Sequence, residues 1–472
     1  ASIRMNTDGS VDTTYGDKGR KTFIFANSQI ASKAVLDSSD NLYIVGTETI
    51  SGFNPFVIKV DNTGNLDTSF NTDGKFDYSF LDSSYGQDIL IHSNGYIYIA
   101  CDGYSSTFFR NSLKMIRIDT SGALVNLNSD LGAGEYNLFN PHDFFAVGLA
   151  ELSSGELVVI GDDYDVEISE GNFSAAVLNQ TDFTQLSLIA ATFDVKQVVT
   201  TTGSSDDKVE TYLNLNNDSF IFAGASNYLQ GISGPVEATL LKIDVTNASI
   251  TVNSSFATSG VYTADVDGSN SFASSIISVD LDSNSNITFG SVADIGEGGP
   301  NYLIDQLTNV GAINGSFTSP SFSANYPVTQ AMQLIVDPTN DHFYLANITG
   351  QVLSDDILFK QLLNDGTEVA TSTQMLNFTG SDENLIDMNL LSMVPNQSAL
   401  WVNTYKPTDI NGNGGSLSLL SSDGALDHTL NKGKSTLQTS GTSYGPSLEL
   451  ADGSLIFTRY DSSNNLTIYK VT

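Results

Sequence analysis

"GNLDTSFNTDGKFDYSF", residues 64–80, runs from a Gly-Asn turn through a carboxylate-rich loop into a short β-forming segment. Its Gly, Asn, Asp and Ser close turns, Gly by tolerating positive φ and the others by bonding backbone two residues on. The β-branched run "FVIKVD", from Phe56, precedes it, so the unit reads strand, turn, strand. Relatives recur as "SIRMNTDGSVDTTYG" from Ser2, "KMIRIDTSGALVNLN" from Lys114 and "LLKIDVTNASITVNSSF" from Leu240. Weaker copies start at Leu307, Leu362 and Leu419, and the most degenerate at Val177. One turn position from each gives Gly9, Gly64, Gly122, Asp182, Asn247, Gly311, Gly366 and Gly424, spaced by about 55 to 65 residues, enough for four strands.

A second motif keeps the same period. "KAVLDSSDNLYIVG" from Lys33, "DILIHSNGYIYIAC" from Asp88, "LAELSSGELVVIG" from Leu149 and "SLELADGSLIFTR" from Ser447 each read as strand, polar hairpin turn, strand. No window sustains a 3.6-residue hydrophobic period, so the chain is expected to be all-β. Four-stranded antiparallel units repeated eight times either stack openly or close into a ring. Closure removes exposed ends, which favours a single β-propeller domain over residues 1–472, with eight blades closed by both chain ends. In that scheme the C-terminal segment supplies three strands of the last blade and "RKTFIF", from Arg20, the fourth, with "SIRM" left as an extra edge strand. Seven blades with one atypical unit is the alternative, because the third and fourth units are the most diverged.

"GSVDTTYGDKGRKTFIF" and "GNLDTSFNTDGKFDYSF", each followed by a polar hairpin and an apolar strand, resemble the delta-60 repeat, a bacterial family associated with β-propellers in exported proteins. "ASITVNSSFATSGVYTADV" matches in part and later copies in outline. The resemblance implies a propeller and carries no catalytic residues with it.

Composition bounds the function. Asp and Glu number 54 against 19 Lys and Arg, a net charge of -35 without a basic cluster to offset it, so nucleic acid and anionic membrane surfaces are repelled. No run of about 18 apolar residues is present, so membrane insertion through a helix is not expected. The lone Cys101 sits among strand formers and reads as a small buried apolar residue. A chain starting at Ala1, acidic and rich in Asn, Ser and Thr, reads as an exported bacterial protein, extracellular or at the cell surface, after removal of a signal peptide.

Three stretches carry oxygen ligands at calcium-like spacing. Asp409, Asn411 and Asn413 before Gly414 reproduce the first half of a calcium loop, although Leu420 stands where its closing acid belongs. Asp162, Asp163 and Asp165, with Glu167 and Glu170, read as an acidic loop after a strand, and Asp265 and Asp267 precede Gly268 in a shorter one. A hydrated loop or an Asn/Gly turn explains each equally well, so calcium stands here as a candidate cofactor. Tyr104, Phe108 and Phe109 in "GYSSTFFR" put aromatic rings in a loop, where they can stack on sugars or on a protein surface. The four histidines, His92, His142, His342 and His428, show no metal-ligand spacing and no nucleophile elbow accompanies them. The expected function is therefore a non-enzymatic binding or structural module for a glycan, a protein or copies of itself. The alternatives are a propeller hydrolase or lyase acting through tunnel carboxylates, and the passenger part of a larger surface protein or filament.

Overall fold

The computed structural model describes side chains within residues 29–369, with gaps, the longest covering 184–207 and 126–142, and the backbone of paired strands outward to Ser2 and Val471. The described residues contain no helix and form eight sheets of four or five strands. The first comprises Ser28–Leu36, Leu42–Thr49, Phe53–Val60 and Lys75–Asp77, each antiparallel to the next. In the fourth, Glu237–Thr246 pairs with both Ser249–Val252 and Val261–Ala264, so its outer edge is covered in two pieces.

The second strand of each well-described sheet is apolar on both faces because sheets pack on either side of it. Tyr43 and Val45 meet Ile97, Ile99 and Cys101 of the second sheet. Tyr98 and Ala100 then face Leu157 and Val159 of the third, and Val158 and Ile160 face Phe220 and Phe222 of the fourth. Continuous runs such as "LYIVG" and "LVVIG" are thus the signature of sheets stacked face to face, with the core between them.

First strands lie side by side. Ser28–Leu36, Tyr85–Ile91, Asp143–Glu151, Lys208–Asn214, Ser274–Leu281, Gln333–Val336, Asp387–Val394 and Ser443–Glu449 each contact the next, and the last contacts the first. Seven of these eight carry a register shift at one shared place, including Ala31/Lys33, Gly86/Asp88, Ala146/Gly148 and Val209/Thr211. A bulge bends its strand and re-aims the backbone that follows it.

The opening stretch joins successive sheets. Asp67 accepts from Ser69 N at 3.1 Å and folds the turn so that Phe70 points inward, fully buried. Asn71 N then donates to Ser121 O of the next repeat at 2.6 Å, and Phe70 lies under Gly122. Gly122 has φ +81, and a Cβ there would stand 2.9 Å from Asn71 N, so the position needs glycine for both conformation and space. The arrangement recurs at Phe256 under Gly311 and Phe317 under Gly366.

Both chain ends enter one sheet, though not as the sequence suggests. "SIRM", Ser2–Met5, runs parallel to Leu466–Val471, with Arg4 beside Lys470, and Arg20–Lys21 pairs with its far edge. A hairpin would have imposed antiparallel pairing, but two chain ends with no short connection are free to pair in parallel.

Candidate binding face

Of the candidate calcium ligands, Asp409, Asn411, Asn413, Asp265 and Asp267 lie outside the described residues, as does the side chain of Asp165. Asp162 and Asp163 are found within strand Leu157–Asp165, not in a loop. Adjacent strand residues face opposite ways, so their carboxylates part. Asp163 is fully buried and accepts from Ser174 Oγ, while Asp162 accepts from Val209 N at 2.7 Å. Among the described residues, no three His, Cys, Asp or Glu side chains gather where they could hold a metal ion.

The bond from Val209 to Asp162 belongs to a set. Gly86 N donates to Thr47 Oγ1 at 3.1 Å and Ala146 N to Asp102 Oδ2 at 2.9 Å. In all three the donor is the residue before the bulge, and the acceptor projects from the second strand of the preceding sheet. Leu149 N bonds Asp88 at 2.8 Å and Val336 N bonds Asp280 at 3.0 Å, again from one first strand to the one before it. An edge strand leaves N–H groups unpaired, and an ionised carboxylate, which only accepts, is suited to them. Burial pushes Asp88 and Asp280 above the ordinary carboxylate range, Asp102 up to about 6 and Asp162 well above it. Tyr212 lies against Gly148 and donates its hydroxyl to Asp88 at 3.4 Å, its own pKa pushed well above the ordinary phenol range, chiefly by burial. These carboxylates, Asp88 and Asp280 on first strands and Asp102 and Asp162 on second strands, are thus occupied by the fold.

His92 is engaged likewise, buried with Nε2 2.8 Å from Gly155 O while Nδ1 accepts from Asn94 N at 3.0 Å. His342 stands 3.0 Å from Gln361 Nε2, and His142 and His428 are outside the described residues. Cys101 is fully buried, its thiol pushed well above its ordinary range by burial. At the opposite end from the loops considered next, a cleft between the fourth and fifth sheets, lined by Leu215, Lys242, Leu281, Ile287 and Asn309, holds about 180 Å³. Small-molecule sites usually need about 300–1,000 Å³.

The exposed aromatic residues are placed differently. In an up-and-down sheet the start of strand one, the end of strand two and the start of strand three share one end. Phe53, Tyr85, Tyr104, Phe109 and Phe145, all exposed, occupy that end of the first three sheets, with Ile30 and Leu81 among them. Phe53 and Tyr85 stack across a sheet boundary with centroids 4.9 Å apart and planes at 29°. Tyr104 and Phe109 are 48% and 79% exposed, and Phe108 is half-buried. Phe109 has φ 58, a conformation costly for an aromatic residue, and its N–H to Ser105 O bond of 2.7 Å holds it there.

A buried lysine fixes these loops. Lys114, wholly inaccessible, donates to Ser84 Oγ at 2.8 Å, Tyr104 O at 3.0 Å and Ser83 O at 3.4 Å, and stands 5.2 Å from the Phe80 ring centre. Asp82 accepts from Ser106 N at 2.6 Å and Oγ at 2.7 Å, bonds that hold its carboxyl below the ordinary range. Asp143 accepts from Asn111 N at 2.7 Å, tying the third sheet to this hairpin. Tyr104, Phe108 and Phe109 are therefore together, as their spacing requires. Phe53, Tyr85 and Phe145 join them although no short sequence window contains them, and Lys114 reads in sequence as one more charged strand residue.

No protein-family model and no curated protein matches this chain. Among solved structures, it is similar to the Dos1 propeller, with a TM-score of 0.50 at 10% identity, over 95% of this chain and 94% of that one. It also aligns with a PL25 ulvan lyase bound to a sulfated disaccharide repeat (TM-score 0.46, 11% identity, 85% of this chain and 96% of that one). Drosophila Semaphorin 2a aligns too (TM-score 0.42, 8% identity, 96% and 74%). The near full-length likeness to the Dos1 propeller assigns the fold, an all-β propeller.

Proposed function

We propose that this chain is a non-enzymatic binding module, an exported β-propeller of eight blades built from delta-60-like repeats, working at a bacterial cell surface. The observation that carries the binding role is the cluster of exposed aromatic rings at one end of the first three sheets, held on loops that buried Lys114 locks together. Exposed rings in rigid loops lose little entropy on binding, which favours recognition. Ring closure is supported by the contact of Ser443–Glu449 with Ser28–Leu36 and by the shared sheet of the chain ends. Export is supported by composition, with 54 acids against 19 basic residues. The partner is a glycan or a protein, and calcium is proposed to stiffen the loops at Asp409 and Asp265.

The lyase or hydrolase reading is weaker, because Asp88 and Asp280 on the first strands already accept backbone N–H groups. The test is a thermal-shift screen of glycans and proteins on the wild type and on Tyr104→Ser/Phe109→Ser. Ligands that raise the wild-type Tm but not that of the variant support the module. Release of new reducing or unsaturated ends from any polysaccharide overturns it in favour of an enzyme, and a melting curve unmoved by chelator removes calcium.

A further inference from the structure

Resting on the binding-module reading, we infer that the aromatic end of the first three blades binds an uncharged polysaccharide, its sugar rings stacking on Phe53/Tyr85, Tyr104, Phe109 and Phe145. These rings stand on separate loops of successive sheets, with polar groups between them, so they suit an extended ligand touched at intervals. The groups between include carboxylate acceptors. Asp82 and Asp143 are carboxylates with oxygens beyond those their loop bonds use, and sugar hydroxyls supply the donors such oxygens lack.

Charge then selects within the class. The net charge of -35 repels a polyanion. Lys114 at this end is also committed internally, to Ser84 and Tyr104, and Arg110 holds its Nε on Phe108 O at 3.2 Å. A protein partner fits less well, since an interface core is depleted of charge and would have to cover Asp82, whose ionised form is favoured.

The experiment is affinity electrophoresis of the intact chain through native gels containing hydroxyethyl cellulose, galactomannan or alginate, with sedimentation velocity in parallel. Retardation by a neutral polymer and not by alginate is expected. Tyr104→Ala and Phe109→Ala should each weaken it by about tenfold. Val310→Ser/Ile313→Ser, exposed on a turn at the other end, should leave it unchanged, with Tm confirming that every variant folds. The inference is overturned if neither neutral polymer retards the wild type, or if Tyr104→Ala/Phe109→Ala migrates as the wild type does. Concentration-dependent association lost in Phe109→Ala, without retardation, also overturns it and assigns the same surface to a second copy, leaving the binding-module reading standing.

Discussion

Asp102 concentrates the chemistry of the sheet boundaries in one side chain. It accepts from Ala146 N on one side and from Gln87 Nε2, at 3.0 Å, on the other, and burial pushes it from 3.8 to about 6. Between those values the folded protein holds a proton that the unfolded chain has released. Stability from this group is therefore greatest below about pH 4 and falls as pH rises through 6, by roughly 2–3 kcal/mol. Asp67, Asp82 and Asp119 are shifted down and act in the opposite sense, so a wild-type profile mixes both signs. Asp102→Asn isolates the term, since an amide can still accept from Ala146 while Gln87 turns its oxygen inward. The variant should gain on the wild type in Tm between pH 4 and 7, and an unchanged difference across that range would refute the assignment. Lys114→Met addresses the loops instead. It leaves Ser84 Oγ and the Tyr104 carbonyl without their buried donor and should cost about 3 kcal/mol, measured by urea unfolding.

The repeated junction of Phe70 under Gly122 explains why the sequence period is so visible. At three described junctions a ring, Phe70, Phe256 or Phe317, stands against a glycine of the next repeat, so neither position can drift without its neighbour. Gly122→Ala should destabilise by more than Gly95→Ala, because both have positive φ, +81 and +84, but only Gly122 faces atoms within 4 Å. The Gly95 variant measures conformational strain alone, about 1 kcal/mol, and the excess measures the contact. Equal losses in denaturant midpoint would mean that the close approach relaxes freely. The strands, the turns at Gly64, Gly122, Gly311 and Gly366 and the hairpins were legible because turn chemistry and apolar runs are local properties. The carboxylates were not. "GDDYDVE" looks like a solvated loop, since what makes Asp162 a strand residue is an N–H at Val209, forty-seven positions away. The aromatic face was legible at Tyr104, Phe108, Phe109 and Phe145, whereas Phe53 and Tyr85 join it through sheet packing that no local pattern encodes.

At the scale of the whole molecule, the difference between a ring and a stack lies in what the N-terminal segment does. In an open stack Ser2–Met5 would be one added edge strand, and its loss would change little. In a ring it completes the last sheet beside Leu466–Val471, while Ser443–Glu449 of that sheet packs on Ser28–Leu36 of the first. Deleting residues 1–21 strips Leu466–Val471 of its partner and exposes a strand edge, a template for pairing with other chains. The last sheet then loses support on that edge and stays joined to the first through its contacts with Ser28–Leu36, chiefly those of Ser443–Glu449. The truncated chain is expected to melt at least about 5 °C lower than the wild type, with a broadened transition, and to associate in a concentration-dependent way. Light scattering across a dilution series separates that association from simple loss of stability. A truncated chain that melts with the wild type in one sharp step, and stays monomeric, would mean that the N-terminal strand adds nothing to the last sheet's stability.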